Sequence, residues 1–147
     1  MTNAMTDLDQ INAELMAGGA RNPFGREVQA GDGVTGEIIA VVRRHRHNSQ
    51  GQPLFWVNRK PQAAQSGDPV IDSQLILETD ARDDDQDDGL RAVTMDRDVQ
   101  RAIRIGLRRA RANGVAIGGR IEGLLFVGPA EGGHGRVYDI GSYTPPA

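Results

Sequence analysis

Residues 33–42 read GVTGEIIAVV, and the fold class turns on this stretch. Val34, Ile38, Ile39, Val41 and Val42 are β-branched and partly alternate, as a half-buried strand requires. Gly36 inside the run predicts a bulge or sharp bend, by which a small sheet curls. Turn signals stand just upstream at residues 22–25 (NPFG) and 30–33 (AGDG). Downstream, residues 54–57 (LFWV) and 73–79 (SQLILET) read as a second and a third strand. Residues 90–95 read as a brief extra strand, and residues 117–127 and 136–143 as two closing strands.

One helix stands out among these strands. Val99, Ala102, Ile103, Gly106, Leu107 and Ala110 recur at three- and four-residue steps and form one apolar face over residues 99–112. Asp96 or Asp98 suits its N-cap, Arg108, Arg109 and Arg111 suit its C-terminal dipole, and Asn113-Gly114 supplies the stop. The order is three strands, one helix, two strands. That order predicts an all-β domain, a five-stranded OB-fold Greek-key barrel with one helix between strands 3 and 4.

The bulk numbers fit one such domain. The chain has 147 residues, and its 19 glycines favour a curved, turn-rich sheet over a helix bundle. It has no cysteine, which excludes disulfides and thiolate metal sites and fits a cytoplasmic setting. No apolar run is long enough to span a bilayer, and the acidic start does not read as a signal peptide. Residues 1–20, with a short possible helix at 8–16, read as a flexible arm or docking segment. Residues 21–144 read as the domain and residues 145–147 as a tail.

Charge is unevenly placed. The net charge is -3, yet residues 21–60 and 97–147 are each net positive, and residues 61–96 carry half of the acid. For a polyanionic partner the local field outweighs the total. The run DDDQDD at 83–88 reads as an exposed loop, because so many like charges cannot be buried unpaired. It lacks the spacing of a calcium loop. It suggests a flexible flap that competes with a polyanion for a basic groove, or that docks a partner.

The succession GDGVTGEIIAVV, GQPLFWVNRKP, SQLILETD, DDGLRAV, the helix and RIEGLLFVG…VYDIGSY resembles the compact single-stranded DNA-binding proteins of bacteriophages that infect actinobacteria. The resemblance covers residues 15–145. It implies an OB fold, sequence-tolerant binding of single-stranded DNA in phage replication or recombination, and contact with proteins of those processes. Bacterial relatives recruit partners through an acidic C-terminal tail; here the acids lie in residues 80–88 and the N-terminal arm.

The residues themselves offer a matching surface. Arg43, Arg44, His45, Arg46 and His47 form the densest basic patch of the first half, suited to backbone phosphates. The alternative is a solvated strand end. His45 and His47 lack an evident third metal ligand. Phe55, Trp56, Arg59 and Lys60 combine two rings with two cations. Alternation turns one ring out, with Trp56 favoured as a platform on which bases stack. Tyr138 and Tyr143 divide between stacking and core, undecided, with Tyr138 kept among the binding residues, while Phe126 reads as core. The helix arginines either extend the path or form a solvated face that pairs with the 83–88 acids.

No phosphate-binding loop, HExxH or nucleophile elbow is present, so neither an enzyme nor a cofactor or metal is expected. Because one small barrel covers few nucleotides, a homo-oligomer is expected. The rival reading is a protein-binding β-barrel adaptor or structural phage protein, which uses the acidic loop and the N-terminal helix.

Overall fold

The computed structural model describes residues 4–147. Its elements in chain order are α1 (Ala4–Ala17), β1 (Gly33–His45), β2 (Leu54–Val57), β3 (Lys60–Ala63), β4 (Asp68–Pro69), β5 (Ile71–Glu78), β6 (Leu90–Thr94), α2 (Arg97–Ala110), β7 (Arg120–Pro129), β8 (Arg136–Asp139) and β9 (Ser142–Thr144). The fold is predominantly β with two helices. The main sheet runs β6-β5-β1-β7-β8, with β9 also on β7, and a second small sheet runs β3-β2-β4.

The expected strands are therefore present with two of them reassigned. Residues 54–57, expected as the second barrel strand, belong to the small sheet. Residues 90–94, expected as a brief extra strand, are instead a full member of the main sheet. The final strand is two, β8 and β9, broken at Gly141, whose N–H donates to the Glu122 and Gly123 carbonyls.

β1 serves two cores because of a bulge. Its register shifts between Ile38 and Ala40, where Ile38 faces Leu77 but Ala40 faces Ile76. Leu77 and Ile76 point to opposite faces of β5, so the side of β1 that packs inward changes at the bulge. Val34 and Ile38 join the larger core with Leu75, Leu77, Val93, Leu124 and the α2 face. Ala40 and Val42 join Ile76 and Ala92 in a smaller core on the other side. Ala13 of α1 and the following Ala20 pack on that smaller core, so the segment expected as an arm is a helix laid against β1. Gly36 permits the close approach of β5: a Cβ there would strike the Glu78 carbonyl oxygen.

α2 forms where the periodicity places it. Asp96 caps it, its side chain accepting from the Val99 N–H at 2.9 Å. Val99, Ala102, Ile103 and Gly106 are buried. Gly106 lets Ile140 approach, since a Cβ would lie 2.8 Å from its Cδ1. The helix ends earlier than Asn113-Gly114, at Arg111, which takes the left-handed conformation (φ 56°).

The main sheet does not close into a barrel. β6 and β8 are its two ends, and residues 21–25 run between them. The Arg21 N–H donates to Leu90 O and the Ala92 N–H donates to Arg21 O, at 3.2 and 2.9 Å. On the other side, Arg136 donates to the carbonyls of Phe24 and Gly25, at 2.8 and 3.2 Å. Phe24 drops its ring into the core edge-on to Tyr138, 5.0 Å between centroids. This segment is the seam of the fold.

Candidate nucleic-acid interface

The end of β1 is tied to the small sheet by backbone hydrogen bonds. The Asn48 side-chain oxygen accepts from the Gln50 and Gln52 N–H groups and holds a tight turn after β1. The chain then returns so that the Leu54 N–H donates to Arg46 O (2.9 Å), the Val70 N–H to Leu54 O (3.0 Å) and the Arg46 N–H to Val70 O (2.8 Å). The basic strand end and the base of the β2–β3 hairpin therefore form one hydrogen-bonded corner. Nine of the ten residues singled out from sequence lie on this strand end or on the hairpin joined to it, with direct contacts between them at His45 and Phe55.

Their roles within that corner differ. The His45 Nε2–H donates to Leu54 O at 2.7 Å, and the ring stands edge-on to Phe55, 4.9 Å between centroids. The His47 Nδ1–H donates to His45 O at 2.8 Å. Both imidazoles thus fasten the corner through carbonyls. Arg46 is engaged with Asp72, to which Nη2 donates at 2.6 Å and Nε at 3.0 Å. That hydrogen bond raises the Arg46 pKa further above its ordinary value. Arg43, Arg44, Arg59 and Lys60 are exposed, and none has a carboxylate within ion-pair distance among the described residues.

The two rings of β2 alternate as a strand requires. Phe55 is half-buried against His45, and Trp56 is 48% exposed on the opposite face, level with Pro61 and Asp68. The hairpin turns on two residues, Asn58 and Arg59, with φ 52° and 66°. A two-residue loop with both φ positive is the turn that favours Asn-Gly. Arg59 occupies the glycine place, at a cost of about 1 kcal/mol for a residue with a Cβ.

Tyr138 does not belong to this corner. It is buried in the core, its ring meeting Phe24 and Phe126 edge-on, and its hydroxyl accepts from Arg136 at 3.4 Å. A ring enclosed on both sides has no face for a base, so Tyr138 is a core residue. Tyr143 is buried as well, its hydroxyl accepting from the Ala116 N–H. Phe126 is core.

The acidic run lies at the opposite end of β5 and is not a flap. Asp87 is buried and forms two bonds with Arg91, at 2.7 and 2.8 Å. It also accepts from the Asp83 and Gly89 N–H groups. Arg21 grips Asp84 through both terminal nitrogens, at 2.9 and 3.0 Å. The Arg91 guanidinium, together with those two backbone donors, holds the Asp87 carboxyl far below the usual carboxylate range. β5 separates this loop from the corner, eight residues or about 25 Å at strand rise. The loop is fixed by its own arginines and does not reach the basic residues.

Two features escaped the sequence reading. The ion network joins Arg21 to residues more than sixty positions away, and no local pattern announces such a link. The positive φ of Arg59 was hidden because arginine is not a turn residue. α1 adds a third surface: Leu8, Ile11 and Leu15 recur on one helix face and are exposed. Among the described residues no helix is long and apolar enough to cross a membrane. No family model, curated protein or solved structure matches this chain.

Proposed function

We propose that this protein binds single-stranded DNA, without sequence preference, at the corner formed by the end of β1 and the β2–β3 hairpin. The observation that carries the reading is Trp56, half-exposed on a hairpin whose tip bears Arg59 and Lys60 and which is tied to the strand end that carries the exposed Arg43 and Arg44. A ring that can stack under any base and cations that neutralise phosphates are the two contributions to sequence-tolerant strand binding. Arg59 in a place that favours glycine adds support, since backbone strain at an exposed tip points to a use for the side chain.

We further infer that the main sheet is an opened OB fold. In chain order its strands β1, β5, β6, β7 and β8 run third-second-first-fourth-fifth across the sheet, with α2 between the third and the fourth. That connectivity supports the OB reading, with the hairpin as an extension of the loop after the first strand. The work would lie in replication or recombination of phage DNA in the host cytoplasm, with several copies side by side along a strand.

Trp56 fluorescence tests the proposal. Titration with oligothymidylate should quench it strongly at low salt and weakly at high salt, and the matching duplex should leave it unchanged. Absence of quenching, with no binding by anisotropy, would sink the proposal. A second reading, a protein-binding adaptor, is favoured by the exposed Leu8, Ile11 and Leu15 stripe, and that negative result would promote it.

A further inference from the structure

The outer face of α2 carries arginines at positions 97, 101, 104 and 108, spaced four, three and four residues apart. At 100° per residue they fall on one narrow stripe, directly opposite the buried Val99, Ala102, Ile103 and Gly106. All four are exposed. The stripe is about 16 Å long at helix rise.

Folding does not account for it. Like charges three and four residues apart destabilise a helix. Arg97 lies in the first turn, where the helix dipole disfavours a cation, so the dipole can account only for the C-terminal arginines. Among the described residues the stripe's one ion pair joins Arg101 to Asp98, at a loose 3.8 Å. The 83–88 acids do not serve it: they precede the far end of β6, and Asp83, Asp84 and Asp87 are held there by Arg21 and Arg91.

The stripe also begins beside the corner already described. Arg43 of β1 lies opposite Ser73 of β5, and the Met95 N–H donates to the Ser73 carbonyl at 2.8 Å. Arg43, Ser73 and Met95 therefore form one row across the sheet, and Met95 is two strand spacings, about 10 Å, from Arg43. Arg97 follows two residues later.

We propose that the α2 stripe is a second phosphate-binding surface, which continues the single-strand path from the β1 corner along the helix. Arginine suits this because its planar fork meets phosphate oxygens in pairs. The proposal rests on the single-strand reading, and it deepens that reading by giving the bound strand a direction and a longer footprint.

The test compares Arg104→Ala/Arg108→Ala with a charge-matched control, Arg26→Ala/Arg120→Ala, by anisotropy on labelled oligothymidylates of about 8 and 20 nucleotides, lengths that bracket the upper site sizes of such folds. Alanine at exposed helix positions raises helix propensity and removes repulsion, so the variant folds, as a thermal melt would verify. The stripe variant should bind the long strand about tenfold more weakly, with the salt slope lowered by about 1.4, while the control stays close to wild type. The short strand should lose much less, and Trp56 quenching at saturation should be unchanged. If wild type binds but the stripe variant matches the control, the α2 surface is overturned and the corner stands. If wild type binds neither strand, the single-strand reading falls, and the α2 surface with it.

Discussion

The two ends of β5 use charge in opposite ways. At the Glu78 end, Asp83, Asp84 and Asp87 are matched with Arg21 and Arg91, and Asp87 and Arg91 are buried. At the Ile71 end, among the described residues, only Arg46 has a carboxylate, and Arg43, Arg44, Arg59, Lys60 and Trp56 face solvent. The first arrangement is structural, because each charge satisfies another. The second leaves cations available to a ligand. A run of six mostly acidic residues drew more attention in the sequence than a scatter of arginines, yet it is the scatter that forms a surface open to a partner.

The largest effect should come from breaking the matched end. Asp87→Ala leaves the buried Arg91 with only the exposed and more distant Asp83, at 3.4 Å, and loss of the buried partner of such a pair is strongly damaging. It should give the largest fall in melting temperature of any variant named here, with single-strand affinity at low temperature unchanged. pH probes the same contact. Because folding depresses the Asp87 pKa, its contribution is complete above the ordinary carboxylate range and is lost as pH falls below about 4 toward the depressed value. Urea midpoints should therefore fall more steeply with acid in wild type than in Asp87→Asn.

The next effect belongs to the open end. Trp56→Ala should weaken single-strand binding by about 1–3 kcal/mol, the worth of one stacked base, and leave the melting temperature nearly unchanged. Equal losses of stability and binding would mean that the ring is part of a core. Arg43→Ala/Arg44→Ala should lower the salt slope by about 1.4, since each neutralised phosphate contributes about 0.7 on single strands. The smallest effect is the most discriminating. Arg59→Gly relieves a left-handed residue and should stabilise the fold by up to about 1 kcal/mol while it weakens binding. If affinity does not move, Arg59 is only a poor turn residue.

What the sequence made legible follows from the range of each interaction. β1 and α2 announce themselves because alternation and the three-four repeat are local. The apolar run at 54–57 was also visible, but not its sheet, because four residues say nothing of which neighbours they pair with. Residues 90–94 looked minor, although three of the five are buried in the main sheet. Trp56 and Phe55 obeyed alternation, whereas Tyr138 was misplaced because its burial depends on Phe24, more than a hundred residues away. At the candidate site the residue types were legible, and the division between fastening residues (His45, His47, Arg46) and free ones was not.

The seam at residues 21–25 also bears on how the chain is made. A segment near the start is held by Arg136, 112 positions after Phe24. A ribosome delivers Arg136 long after Phe24, so residues 21–25 wait for this partner while β1 to β7 are synthesised. Contacts that span so much of a chain slow folding. Completion of this fold thus awaits Arg136, and a chain truncated before residue 136 would lack the clasp that joins the two ends of the sheet.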